Sequence, residues 1–476
     1  MSEQEQQSEG FLDRTLKNLR SAWQSIAGSE YDETAASMRP DLPDDDAARL
    51  RQQMEACLQT RGGEVSARAR AAALGRAYLA LDVTGRHRFL QVMAENFDVD
   101  AAAIDAAIEE LHKAEGPVDC RAAQRKLSKE LTAPRVKLLT QFNGLPEGVK
   151  FLVDMRAELL PLSKNDPALT ALENDLRDLL ATWFDVDFLE LRRITWETAS
   201  GLLLEKLIAY EAVHEIESWD DLKNRLDSDR RCFAYFHPRM PDEPLIFVEV
   251  ALVNGLADNV QVLLDEEAPR QNPEEADTAI FYSISNAQKG LAGISFGNFL
   301  IKRVADTLAG EFPGLKSFAT LSPVPAFRNW LDKASAAGEM QLTANERKAL
   351  NGQDDPDAEG LDLIQRLLDT PGWEGNEETV ESLRKPLMRL VAHYLLEEKR
   401  RRGQALDPVA HFHLSNGARM ERLNWMADTS ARGLQQSAGM MMNYLYKLSD
   451  VETNHEAYTS DGQVASSGSM RSLLRG

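Results

Sequence analysis

Cysteine is scarce in this chain: three among 476 residues, Cys57, Cys120 and Cys232. An odd count at wide spacing excludes a disulfide framework and any Cys-based metal motif, and it suits a reducing compartment. Positive charge is short as well. Lys and Arg number 54 against 76 Asp and Glu, a formal net charge of −22. Neutralising the phosphates of a nucleic acid takes clustered Lys and Arg, so no nucleic-acid partner is expected. No apolar run is long enough to span a bilayer, so no membrane partner is expected either. The opening MSEQEQQSEGFLDRTLKNLRSAW carries Glu3, Glu5, Glu9 and Asp13, which speak against a basic presequence. No signal-peptide pattern is visible, and the final Leu-Leu-Arg-Gly is not a peroxisomal address. The expected location is cytoplasmic.

What the chain does have is helical periodicity, followed by a change of character. Its length exceeds what one hydrophobic core serves, so more than one domain is expected. Residues 1–42 are expected as a flexible arm bearing an apolar stripe (Phe11, Leu12, Leu16, Leu19, Trp23, Ile26), closed by Pro40 and Pro43. From 43 to 215 the spacing predicts an all-α domain, with helices at 44–60, 65–81, 83–97, 100–114, 118–143, 147–160, 166–183, 185–192 and 196–213. Beyond Trp219 the sequence turns β-branched and aromatic. RCFAYFH (231–237), PLIFVEVALV (244–253), VQVLL (260–264), TAIFYSIS (278–285) and LKSFATL (315–321) read as strands, with a helix at 296–310 before the last. The second domain therefore spans 216–455 with a helical insert at about 326–402, and 456–476 is expected as a flexible tail.

Three stretches suggest chemistry. The first is NAQKGLAGIS (286–295), which leads from a strand into a helix with Gly290, Gly293 and Gly297. Free amides at such a junction suit a pyrophosphate, although glycines also make plain strand–helix turns, and neither the Walker nor the Rossmann pattern is present. The second is Ser322, at a strand end ahead of Pro323-Val324-Pro325. It lacks the Gly-x-Ser-x-Gly elbow of a hydrolase nucleophile. The third is DPVAHFHLSNGARMERLNWMADTSARGLQQSAGMMMNYLY (407–446). His411 and His413 would share one face of an extended segment. A metal site there could recruit Asp407 and Asp428 but lacks a third His or Cys, so no metal is expected and a proton carrier is the simpler reading. Asn416-Gly417 reads as a turn, Trp425 as a packing anchor, and Met440–Met442 as core on a helix that brings Tyr444 or Tyr446 inward. The acids of 353–359 lack calcium-loop register, and Lys399–Arg402 suit a helix C-terminus or the rim of a phosphate pocket. His87, His112 and His214 stand singly and read as surface or packing residues.

Taken together, the chain resembles the malonyl-CoA decarboxylase family. The resemblance is carried by ITWETASGLLLEKLIAYEAVHEIESWDDLKNRL (194–226), FYSIS (281–285), QKGLAGISFGNFLIKRV (288–304), LSPVPAF (321–327), DPVAHFHLSNGARMERLNWMADTSARGL (407–434) and NYLY (443–446). It implies a helical oligomerisation domain, with a dimer or tetramer expected, and a catalytic domain with a mixed sheet like that of GNAT acetyltransferases. It further implies that Ser322 and His413 are catalytic. The substrate would be met by Ala292, Gly293, Ile294, Ser295, Phe296, Gly297, Asn298, Ser283 and Tyr446. Some relatives carry glutamate where this chain has Ser295. The implied reaction converts malonyl-CoA to acetyl-CoA and CO2 without a cofactor. The competing readings are a GNAT-type N-acyltransferase and a non-catalytic acyl-CoA sensor.

Overall fold

The computed structural model describes residues 38–59, 63–184, 188–294, 300–338, 342–350, 361–400 and 403–475, together with Trp23 and Ile26. The expectations for Phe11–Leu19, for the acidic stretch 353–359 and for Arg401-Arg402 fall outside these residues. Internal contacts divide the chain into two units. The first is Met1–Glu190, Phe236–Leu245 and Ala287–Phe296, and the second is Leu191–Tyr235, Ile246–Asn286 and Gly297–Gly476.

The first unit is built from α1 (Asp44–Leu58), α2 (Gly63–Ala80), α3 (Val83–Asn96), α4 (Ala101–Lys113), α5 (Gly116–Glu130), α6 (Pro134–Asn143), α7 (Gly148–Ser163) and α8 (Pro167–Trp183). Helix α8 shows how these form. Asp166 accepts from the amides of Ala168 and Leu169, Pro167 takes the first turn, and Leu169, Leu172, Leu176 and Leu180 make one buried stripe. Trp23, within the stretch expected as a flexible arm, is firmly placed. Its indole is fully buried, donates to the Pro146 carbonyl at 2.7 Å and meets the Phe151 ring edge-on at 4.9 Å. Gly75 makes room for it: a Cβ there would stand 2.2 Å from the indole.

The second unit carries most of an eight-stranded sheet. In chain order its elements begin with β1 (Glu190–Ile194), α9 (Gly201–Tyr210), α10 (Trp219–Arg225), β2 (Arg230–His237), β3 (Met240–Val253), α11 (Val260–Leu264) and β4 (Thr278–Asn286). Then come α12 (Leu300–Glu311), β5 (Ser317–Thr320), β6 (Ser322–Pro323), α13 (Phe327–Ala337), α14 (Ala344–Leu350), α15 (Leu361–Asp369) and α16 (Glu377–Leu396). The chain ends with α17 (Pro408–Ser415), β7 (Arg419–Asn424), α18 (Ala431–Ser437), β8 (Met441–Leu445), α19 (Val451–Asp461) and α20 (Gly468–Leu473).

The strand order is β1-β2-β3-β4-β5-β8-β6, with β7 paired to β8. Strands β3 and β4 run antiparallel, and β4 and β5 run parallel from Thr278↔Ser317 to Phe281↔Thr320. The amide of Leu321 still reaches the Phe281 carbonyl at 3.0 Å, and then the chain leaves β4 to pair Ser322 and Pro323 with Met442 and Met441 of β8. The parting of β4 from β5–β6 is the feature that positions the site.

Several local expectations change. VQVLL is the short helix α11, because Asn259 caps it by accepting from the Val262 amide at 3.1 Å. Residues 190–192, placed at the end of a helix by spacing, belong to strand β1. Met441 and Met442 lie on strand β8, not on a helix. The stretch expected as a tail carries the end of α19 and all of α20, with Met470 fully buried. No helix among the described residues is long and apolar enough to cross a membrane.

Candidate active site

Thr320 and Ser322 lie two residues apart where β5 runs into β6, so their side chains share one face. The Ser322 hydroxyl donates to Thr320 Oγ1 at 2.8 Å. On its other side Ser322 Oγ meets His413 Nε2 at 2.9 Å, and His413 Nδ1 meets the Tyr446 hydroxyl at 2.8 Å. All four residues are buried, and Thr320 and Tyr446 almost completely. Residues 91 and 33 apart in sequence thus form one continuous line of hydrogen bonds.

His413 sits on α17, a helix and not the extended segment that the alternation of His411 and His413 suggested. Asp407 caps it, accepting from the amides of Val409 and Ala410 at 2.9 Å each, and Pro408 opens the first turn. On a helix, positions two apart do not share a face. His411 accordingly turns away to meet the Tyr458 hydroxyl at 2.8 Å, while His413 faces Ser322. The helix ends at Asn416, and Gly417, at φ +80°, brings the backbone so close to Val451 that a Cβ would stand 2.1 Å from its carbonyl oxygen. The reversal returns the Ala418 amide to the His413 carbonyl at 3.0 Å, pinning the residue at both ends.

The imidazole is stacked on the Tyr444 ring, with centroids 4.4 Å apart and planes at 24°, and Phe412 meets it edge-on. Burial in these aromatic surroundings disfavours the charged ring and lowers its pKa to about 3. The Tyr446 phenol is pushed well above its ordinary value, again by burial. Asn443 locks the β5–β8 crossing from below. Its Nδ2 donates to the Thr320 carbonyl at 2.9 Å, and its Oδ1 accepts from Asn424 Nδ2 at 2.9 Å.

The other proposed contacts divide. Ser283, on β4, has its hydroxyl committed to the Glu211 carboxylate at 2.8 Å, beside the Ser285 hydroxyl, which reaches Glu211 at 3.1 Å. Ala292, Gly293 and Ile294 belong to the first unit. Gly293 adopts φ +76° with open space around its Cβ position, whereas Ile294 is buried. Ser295, Phe296, Gly297 and Asn298 lie outside the described residues. Within the first unit Arg156 holds this segment, donating to the carbonyls of Gly290 at 2.6 Å and Ala292 at 2.9 Å while Glu173 holds its guanidinium at 2.7 Å. Among the described residues no three His, Cys, Asp or Glu side chains converge as metal ligands. Thr320, Asn443 and Arg156 escaped the sequence reading, whereas Tyr444, expected to turn inward from a helix, stacks on His413 from strand β8. Only the Asn of NYLY and the Thr two places before Ser322 offered a visible signal.

A mixed sheet whose strands β4 and β5 run parallel across helix α12 and then part, with Ser322 buried on the departing strand and meeting His413 of α17, defines an α/β domain that follows a helical region in the chain. Comparison with known proteins narrows this. Residues 187–476 match the malonyl-CoA decarboxylase C-terminal domain, and residues 97–184 match the malonyl-CoA decarboxylase N-terminal domain. Mitochondrial malonyl-CoA decarboxylase of Anser anser anser is 35% identical over 422 residues, covering 85% of this chain and 83% of that protein. The Rattus norvegicus enzyme is 35% identical over 412 residues, covering 82% of each. The crystal structure of malonyl-CoA decarboxylase from Rhodopseudomonas palustris superposes with a TM-score of 0.82 at 42% identity, covering 90% of this chain and 99% of that one. That from Agrobacterium vitis gives 0.80 at 40% identity, with the same coverage. The chain belongs to the malonyl-CoA decarboxylase family and is a carboxy-lyase.

Proposed function

We propose that this chain converts malonyl-CoA to acetyl-CoA and CO2, with Ser322 and His413 as the catalytic pair. One observation carries the assignment of roles: the 2.9 Å hydrogen bond between Ser322 Oγ and His413 Nε2, buried where β5–β6 leaves β4. Loss of CO2 leaves an electron pair on the α-carbon that the thioester carbonyl accepts as an enolate. The substrate is its own electron sink, so the protein's task is to orient the carboxylate and to stabilise the developing oxyanion with fixed donors. Ser322 polarises the malonyl group, and His413 delivers the proton that the α-carbon needs. The balance is one proton consumed for each carboxylate lost as CO2. The Gly-bearing loop from Ala292 to Asn298 is assigned to the CoA moiety, supported by the left-handed, open backbone at Gly293.

The test is mass spectrometry of malonyl-CoA incubated with the purified full chain. Acetyl-CoA and CO2 should form with no acceptor added. Free CoA appearing only when an amine is supplied would make the protein an acyltransferase, and binding without turnover would make it a sensor. Ser322→Ala and His413→Asn should each lower kcat by about 100-fold or more with the fold intact. Near-normal CO2 release from both variants would remove the assignment.

A further inference from the structure

We propose that Thr320 is a positioning residue that fixes the direction of the Ser322–His413 hydrogen bond, so that His413 Nε2–H donates and Ser322 Oγ accepts. The inference rests on the catalytic reading of that pair and deepens it. A hydroxyl carries one proton. That of Ser322 is given to Thr320 Oγ1 at 2.8 Å and cannot also be given to His413. The proton in the 2.9 Å contact therefore belongs to Nε2. A neutral imidazole has a single N–H, so Nδ1 is the acceptor, and the Tyr446 hydroxyl at 2.8 Å must supply the donor. The line of protons runs Tyr446 to His413 to Ser322 to Thr320. Thr320 is well fixed for this: the Tyr444 amide donates to its Oγ1 at 3.3 Å, and Asn443 holds its carbonyl.

This polarity is the reverse of a serine hydrolase, where the serine gives its proton to histidine and becomes a nucleophile. Here Ser322 stays a hydroxyl, whose proton can turn from Thr320 to a bound malonyl group without passing to His413, and the mobile proton waits on Nε2. As the enolate forms its new C–H bond, the Nε2–H bond breaks and Nδ1 takes the Tyr446 proton. The ring ends neutral with its tautomer exchanged, and the cycle closes when Nδ1 returns its proton to the phenolate and Nε2 takes one proton from solvent for each CO2 released. Burial holds the ring uncharged, and by disfavouring the phenolate it drives the return of the proton from Nδ1 to Tyr446.

The experiment is to label the full chain with 15N-histidine and find which ring nitrogen of His413 is protonated. There are eight histidines, and the resonance is assigned by its absence in His413→Asn. The wild type should carry the proton on Nε2. Thr320→Val keeps the side-chain shape but removes the acceptor, so Ser322 turns its proton to His413. The proton should move to Nδ1 and kcat should fall about 10-fold or more with KM unchanged, and Thr320→Ser should restore both. Protonation at Nδ1 in the wild type would overturn the proposal. So would a Thr320→Val variant with the wild-type tautomer, or with a loss confined to KM. Should Thr320→Val not fold, the wild-type tautomer decides alone. A wild type that releases no CO2 would instead remove the catalytic reading, while the tautomer measurement, which needs no turnover, still judges the polarity.

Discussion

Burial keeps the His413 imidazole neutral down to about pH 3, so in the proposed reaction the ring would act as a neutral N–H donor and not as an imidazolium. A histidine titrating at its ordinary value of about 6.5 would impose an inflection on kcat in the neutral range. The expectation is that initial rates of CO2 release show no inflection from His413 between about pH 5 and 8. A limb with its midpoint near the ordinary histidine value would contradict the neutral-donor role. Tyr446→Phe probes the other ring nitrogen. Phe keeps the edge-on ring contact, 6.1 Å between centroids, and removes only the hydroxyl at Nδ1. It should lower kcat about 10-fold or more and leave KM unchanged. A rise in KM alone would make Tyr446 the substrate contact that the family resemblance implies.

At the scale of elements, the Gly-bearing loop depends on a buried ion pair that no local motif announces. Arg156 of α7 and Glu173 of α8 are both buried, and Arg156 spends its remaining N–H groups on the carbonyls of Gly290 and Ala292. Removing Arg156 strands a buried carboxylate and two carbonyls, so Arg156→Ala should cost about 3–5 kcal/mol in urea unfolding. A loss below about 1 kcal/mol would show the pair to be incidental. Gly290 is equally constrained, since a Cβ there would stand 1.7 Å from the Val153 carbonyl oxygen. The loop's glycines were legible in sequence as a turn, but the Arg156 clamp was not, because 134 residues separate Arg156 from Gly290. The same contrast holds elsewhere. FAYF and IFVEV announced β2 and β3 through β-branched and aromatic runs that suit a buried sheet. Alternation misled at His411 and His413, although Asp407-Pro408 carried a readable N-cap and first-turn signal for α17. Ser322 and His413 were marked by family likeness, whereas their partner Thr320 became visible only when β5 and β8 were set side by side.

At the scale of the whole molecule, buried titratable groups set opposing pH limits on stability. His413 at about 3 and His214 at about 4 are both lowered chiefly by burial. Each contributes stability that is full above the unfolded histidine value of about 6.5 and is lost as pH falls through the folded value. Glu249 acts in the opposite sense. It is fully enclosed, and burial raises its pKa from 4.5 to about 8 even though Arg225 Nη1 reaches its Oε2 at 3.2 Å. The charge of Arg225 is shared with Asp221, whose two oxygens receive it at 2.7 and 2.9 Å. Burial therefore favours the neutral acid at Glu249 below about pH 8. Its contribution is full below 4.5 and is lost as pH rises through about 8, where folding must bury a carboxylate that water would otherwise solvate. Gln has the shape of the protonated acid and can accept the same Arg225 hydrogen bond, but it cannot ionise. Glu249→Gln should match the wild type in urea midpoint near about pH 5 and exceed it progressively toward about pH 9. A constant gap between the two proteins across that range would mean that Glu249 is ionised in the fold, and that Arg225 serves both carboxylates as a charged pair.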